Sequence, residues 1–300
     1  MNIQWYPGHM TAARRMLQET LPQVDAVCEI LDARIPYASG NPDIRSLTEN
    51  KPRLVVLNRA DLADPAVTAL WAAWFKKNGH PVLETDSKSG AGVNRFAPAV
   101  RDLLRDKLRR YEQRGQAGRP LRIMVAGIPN VGKSSFINRI SGRKPAKAED
   151  RPGVTRGRQW VVVASGLELL DTPGILWPRL DSEAVGLNLA FTGAVKDEIL
   201  DLETLAFRLM ERLDTLYPRL LAARYGEGLV PGSPGHLLLD QAARRRGFLV
   251  SGGEPDLERM AKVLLDEFRG GVLGRISLER PPENGKEVAM DGGGEPSLDD

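Results

Sequence analysis

The sequence predicts an α/β fold, a mainly parallel sheet with helices on both faces, followed by a smaller all-helical domain. Three observations predict it. Short apolar runs alternate with helical patterns from Val24 to Asp171. Gly127-Ile128-Pro129-Asn130-Val131-Gly132-Lys133-Ser134 fits the phosphate-loop pattern G-x-x-x-x-G-K-[ST], which joins a strand to a helix. After Pro178 strand patterns stop, and helical periodicity runs from Ser182 to about Phe268.

The elements follow in order. Val24–Leu31, Arg53–Leu57, Pro81–Leu83, Leu121–Ala126, Gln159–Ala164 and Leu167–Leu170 are apolar, mostly β-branched runs ended by turn or polar residues. Such runs form short buried strands. Helical patterns cover Pro65–Lys77, Ala97–Tyr111 and Ser134–Ile140. Strands alternating with helices build a parallel sheet covered on both sides. Gly115–Pro120 is a polar turn region ahead of the phosphate-loop strand. Further helices are expected over Leu200–Leu216, Leu237–Arg246 and Asp256–Glu267. The expected organisation is a nucleotide-binding domain over 1–180 with an N-terminal extension, a helical domain over 185–280, and a disordered acidic tail over 281–300.

Composition narrows the function classes. With 300 residues and 42% hydrophobic content the chain can bury a sizeable core. Its one cysteine, Cys28, lies in an apolar run, so a disulfide framework is excluded and a buried reduced thiol is expected. No run reaches the ~18 apolar residues of a membrane span, and the N-terminus has no apolar secretory core. A cytoplasmic, membrane-free monomer is the expectation. The net charge of +3 hides an asymmetry, because residues 281–300 hold six acids and one base. Residues 101–122 hold eight bases and three acids. A basic body suits a polyanion such as nucleic acid, although a solvated helix face with an acidic solubility tail has the same composition.

In the phosphate loop, backbone N–H groups of Asn130, Val131, Gly132, Lys133, Ser134 and Ser135 would cradle phosphates at a helix N-terminus. Lys133 would sit on the β- and γ-phosphates, Ser134 would ligate Mg²⁺, and Ser135 would touch the α-phosphate. About 40 residues later comes Asp171-Thr172-Pro173-Gly174, and about 70 residues earlier comes Asn58-Arg59-Ala60-Asp61. The later string resembles the magnesium-side D-x-x-G of GTPases, and the earlier one their guanine-reading N-K-x-D. In ordinary GTPases the guanine reader comes last. This order resembles that of circularly permuted GTPases.

The resemblance implies a role for each residue. Asp171 would reach Mg²⁺, and the Gly174 N–H the γ-phosphate. Thr155, within Arg151-Pro152-Gly153-Val154-Thr155-Arg156, would ligate Mg²⁺ only when the γ-phosphate is present. Asp61 would accept hydrogen bonds from guanine N1–H and the 2-amine, while Asn58 braces the loop. Arg59 replaces the usual lysine, and its stem could lie over the base. Asp86 and Ser87 loosely match the fifth GTPase element and would lie near the base.

Trp5-Tyr6-Pro7-Gly8-His9-Met10, Asp32-Ala33-Arg34-Ile35-Pro36 with Asn41-Pro42, and Gly270-Gly271-Val272-Leu273-Gly274 match one branch of the permuted GTPases. This branch is the YlqF-type ribosome biogenesis GTPases of the YlqF/YawG family. The resemblance covers nearly all of residues 3–280. It implies a circularly permuted P-loop GTPase domain, late assembly of the large ribosomal subunit, and a helical domain that binds ribosomal RNA. GTP and GDP are the implied ligands. Arg244, Arg245 and Arg246 could meet RNA phosphates, or line a solvated helix face.

Catalysis needs help, because Ile175 stands where many GTPases place a water-orienting glutamine. His9 could orient water, or cap the first helix. Asn130 occupies the position that coordinates K⁺ in potassium-stimulated GTPases. Two other classes remain open: a GTP-dependent RNA-binding scaffold that does not hydrolyse, and a non-ribosomal phosphotransferase using the same loop.

Overall fold

The computed structural model describes residues 15–142, 159–163, 166–172, 174, 182–226 and 228–282. Six strands form one sheet in the order β3-β2-β1-β4-β6-β5. They are β1 (Ala26–Asp32), β2 (Arg53–Asn58), β3 (Val82–Glu84), β4 (Leu121–Ala126), β5 (Gln159–Val163) and β6 (Leu167–Asp171). Every pairing is parallel except β5–β6. The connector between β5 and β6 is too short for a crossover, so that pair must run antiparallel. The expected strands all form, with ends shifted by a residue or two.

The parallel strands share one consequence for the site. Their carboxyl ends lie along one edge, where ligands bind in open α/β sheets. Asp32, Asn58, Glu84, Ala126 and Asp171 are the last residues of β1, β2, β3, β4 and β6. The guanine-type loop, the phosphate loop and the D-x-x-G loop therefore leave the same edge, whatever their order along the chain.

In the first part of the chain the helices are α1 (Pro42–Leu47), α2 (Pro65–Lys77), α3 (Phe96–Leu103), α4 (Arg105–Gln113) and α5 (Lys133–Ser141). The expected single helix over Ala97–Tyr111 is a bent pair. Leu104, 3% exposed, is drawn into the core, while α4 buries nothing. Leu108 and Tyr111 continue the stripe but are only partly buried against the core, and the helix is interrupted at Leu104. α1 was not expected. Asn41 caps it by accepting from the N–H groups of Asp43 and Ile44, and Pro42 opens its first turn. Asp64 and Pro65 start α2 in the same way.

The C-terminal helices are α6 (Glu183–Phe191), α7 (Leu202–Leu216), α8 (Pro218–Tyr225), α9 (Gly235–Arg245) and α10 (Leu257–Gly270). One apolar cluster runs from the sheet (Cys28, Ile30, Val125) through Val185 and Leu189 of α6 into Leu205, Leu209 and Leu264. The helical region is thus packed onto the sheet through shared core. Cys28 is free and buried, and burial pushes its thiol pKa well up. No helix among the described residues is long and apolar enough to cross a membrane.

Candidate nucleotide site

The phosphate loop leaves β4 and closes on the N-terminus of α5. Asn130 and Gly132 take left-handed backbone, φ 60° and 92°, and Gly132 precedes the first residue of α5. Lys133 is buried, and its ammonium donates to the Ile128 carbonyl at 2.6 Å. Burial pushes its pKa down to about 8, against the opposing pull of Asp171. Ser134 is exposed and Ser135 half-buried.

The D-x-x-G segment meets this loop. The Asp171 carboxylate lies 3.5 Å from the Ser134 hydroxyl through Oδ2. Its Oδ1 is buried with no hydrogen-bond partner among the described residues. Burial raises the Asp171 pKa, and Lys133 and Ser134 oppose the rise. A buried carboxylate oxygen beside a serine hydroxyl fits Mg²⁺, a hard cation that takes few protein oxygens and completes its shell with phosphate and water. Gly174 comes close to the loop. A Cβ there would fall 2.8 Å from the Pro129 backbone and 3.0 Å from Lys133 Nζ. Only a residue without a side chain fits.

At the end of β2, Asn58 joins three loops. Its Nδ2 donates to the Val131 carbonyl at 2.7 Å. Its Oδ1 accepts from the Thr85 hydroxyl, the Ser87 N–H and the Ser87 hydroxyl at 3.1, 3.2 and 2.7 Å. Arg59 is a non-glycine residue at φ 58°, the kind of strain that persists only where neighbours hold it. Its guanidinium donates to the Asn130 carbonyl at 2.6 Å and lies 3.9 Å from Asp32. The side chain reaches the phosphate loop.

Asp61 is exposed. Partial burial and the nearby Asp86 charge raise its pKa. Asp86 is held below the usual range, partial burial notwithstanding, by hydrogen bonds from Ser89 and Lys88. Two carboxylates thus lie near enough to repel each other, which suits a ligand edge rich in donors. Ala60 sits between Arg59 and Asp61, with its N–H bonded to the Thr85 carbonyl at 3.1 Å.

Sequence reasoning missed one contact here. The Asn130 side-chain amide donates to the Gly193 carbonyl at 2.6 Å, linking the phosphate loop to the end of α6. Nothing in the residue types around Gly193 signals it. Arg269 of α10 holds the same turn through the Phe191 and Ala190 carbonyls and an ion pair with Asp197. His9, Thr155 and Ile175 lie outside the described residues, as do Trp5–Met10 and Arg151–Arg156.

The Arg244–Arg246 run does not form one basic face. Arg244 pairs with Asp240 and Glu254. Arg245 lies over Gly226 and Gly228. Arg246 pairs with Glu267 and stacks on Phe248. Consecutive helical residues point in different directions, and Arg244 and Arg246 each have acidic partners.

A phosphate loop, a guanine-type loop ahead of it in the chain and a D-x-x-G segment meet at one sheet edge. They define a permuted P-loop GTPase. Comparison with known proteins narrows the class. The family model described as "50S ribosome-binding GTPase" matches residues 122–214. The ribosome biogenesis GTPase A of Bacillus cereus is 43% identical over 288 residues, 96% of this chain and 97% of that protein. Its counterpart in Thermotoga maritima is 32% identical over 94% of this chain and 95% of that protein. The GNP-bound structure of YlqF from T. maritima superposes with a TM-score of 0.64 at 28% identity, covering 90% of this chain and 98% of that one. The chain belongs to the ribosome biogenesis GTPase A family.

Proposed function

We infer that this chain binds and hydrolyses GTP as an assembly factor in late maturation of the large ribosomal subunit, with its nucleotide state gating its hold on ribosomal RNA. The observation that carries this reading is the bracing by Asn58. One side chain ties the guanine-type loop to the phosphate loop and to Thr85 and Ser87. Family membership favours this reading over a phosphotransferase or a non-hydrolysing scaffold.

The roles assigned are these. Asp61 reads guanine N1–H and the 2-amine, with Asp86 and Ser87 beside the base and Asn58, Arg59 and Ala60 shaping the loop. Asn130 to Ser135 hold the phosphates, and Lys133 neutralises charge developing on the γ-phosphoryl group. Ser134, Asp171 and Thr155 would hold Mg²⁺, which when bound would supply positive charge against the phosphates. Gly174 offers its N–H to the γ-phosphate. His9 orients the attacking water. Asn130 would hold K⁺ beside the phosphates through its side-chain oxygen, since its amide nitrogen is committed to Gly193, and the cation would supply positive charge there.

The chain is read as a monomer with a GTPase domain over 1–180, an RNA-binding helical domain over 185–280 and a tail over 281–300. RNA phosphates would meet Arg244, Arg245 and Arg246, drawing Arg244 and Arg246 out of their internal pairs. Helix α4, with no buried residue, adds Arg105, Arg109 and Arg110 to the basic surface.

Single-turnover GTP hydrolysis tests the reading, run with and without large ribosomal subunits and in KCl against NaCl at equal ionic strength. Slow intrinsic hydrolysis, acceleration by subunits and a faster rate in KCl are expected. No acceleration by subunits removes the ribosomal role in catalysis. Equal rates in both salts remove the cation.

A further inference from the structure

The nucleotide site leaves two sequence strings without a role, Asp32–Pro36 and Gly270–Gly274, and the structure joins them through Phe268 and Leu278, which flank the glycine turn and contact Arg34. Helix α10 ends at Gly270, and Gly271 caps it at φ 75°. A Cβ at Gly271 would fall 2.6 Å from Leu62 Cδ2, one residue beyond Asp61. The left-handed backbone favours glycine, and any side chain there would also have to displace the Leu62 methyl. The Val272 N–H donates back to the Glu267 carbonyl at 2.9 Å and the Gly274 N–H to Gly271 at 3.1 Å. The turn redirects residues 275–280 across the carboxyl edge of the sheet.

Nearly every residue of this strap then bonds to the loops around the base position. The Ile276 N–H donates to the Leu62 carbonyl at 2.9 Å and the Leu278 N–H to the Arg34 carbonyl at 2.8 Å. The Ser277 hydroxyl accepts from the Asp64 N–H at 3.1 Å. Glu279 accepts from the N–H groups of Tyr37 and Ala38 at 2.7 and 3.1 Å. Arg34 is 1% exposed, ion-paired with Asp32 at 2.8 Å, and lies 5.2 Å from the centre of the Phe268 ring of α10. The Asp32–Pro36 string is the socket, and the glycine turn delivers the strap into it.

Arg275 makes the contact that bears on the ligand. Its Nη2 donates to the Ala60 carbonyl at 2.7 Å and its Nε to the Ala63 carbonyl at 2.9 Å. These carbonyls bracket Asp61. A planar guanidinium bonded to both fixes the spacing of the backbone that carries the carboxylate. We propose that Arg275 is a positioning residue for guanine recognition, supplied from the segment after α10, which sets the direction of Asp61. This rests on the assignment of Asp61 as base reader. It also means that a ligand on the helical region that displaces α10 changes the hold on the base.

The test compares affinities for GDP and IDP, since inosine lacks the 2-amine. Binding is measured for the full chain carrying Arg275→Ala, Arg275→Lys or Asp61→Asn, with melting temperature followed in parallel. Arg275→Ala should weaken GDP by roughly tenfold and IDP by less, so that the GDP/IDP preference contracts. Arg275→Lys, which still reaches one carbonyl, should restore part of the preference and stands in if the alanine variant does not fold. An unchanged GDP/IDP ratio in both Arg275 variants, whether through equal losses or none, overturns the proposal. Asp61→Asn separates the two ideas. If it collapses the ratio while the Arg275 variants do not, the strap fails and the base reader stands. If it leaves the ratio intact, the base assignment itself fails.

Discussion

Asn58 and Asp61 sit three residues apart but face different demands. Asn58 is 2% exposed and has its amide satisfied on both sides, so it spends its hydrogen bonds inside the protein. Asp61 is exposed and pushed toward protonation by its surroundings, so it has hydrogen-bonding capacity to offer a ligand. A carboxylate accepts two donors from guanine, whereas an amide replaces one acceptor by a donor. Asp61→Asn should therefore weaken GTP and favour xanthosine triphosphate, whose 2-oxygen accepts. Direct binding of both nucleotides checks this, and unchanged GTP affinity removes Asp61 from the site. Residue types and order made these roles legible in the sequence. The reach of Arg59 to the Asn130 carbonyl and of Asn130 to Gly193 was not, because both depend on tertiary placement that no spacing encodes.

At the scale of elements, strands were the most legible because burial on both faces of a parallel sheet writes a continuous apolar run. Short helices were least legible. Helices α1 and α8, of six and eight residues, are too short for periodicity to declare them, and α6 is apolar nearly all round. The strap was hidden for a different reason. It has no regular structure, and its contacts join residues more than two hundred positions apart.

Its carboxylate carries a testable consequence. Glu279, 5% exposed, also accepts from Asn188 of α6 at 3.0 Å, so it ties α6 to the Tyr37–Ala38 backbone. Burial pushes its pKa up to about 7, against those donors and the Arg212 charge. The folded state then holds a proton that the unfolded state has released. The contribution of this group to stability is fully present below its unfolded value and falls as pH rises toward 7. The loss is on the order of 3 kcal/mol at most. Glu279→Gln cannot titrate. The melting temperature of the native chain minus that of the variant should fall between pH 5 and 8, and a difference that stays flat contradicts the buried titration.

On the scale of the whole molecule, chain order and spatial order separate cleanly. Three loops from β2, β4 and β6 converge because parallel strands end at one edge, so moving the guanine reader ahead of the phosphate loop leaves the site intact. What the permutation changes is the neighbour of the D-x-x-G segment. Gly174 lies against Pro129 and Lys133, and within ten residues the chain enters α6 at Glu183. The other end of α6 is bonded to the phosphate loop through Gly193. The helical region is thus tied to the phosphate end by Asn130 and to the base end by the strap. A change at the γ-phosphate has a short route to the surface that would hold RNA.

Co-sedimentation with purified large ribosomal subunits at fixed ionic strength tests that gate most directly. Protein loaded with a non-hydrolysable GTP analogue should pellet with subunits to a greater extent than protein loaded with GDP, and added salt should weaken both, as phosphate contacts require. Equal pelleting in the two nucleotide states would contradict the gate, and no pelleting in either would contradict the ribosomal partner.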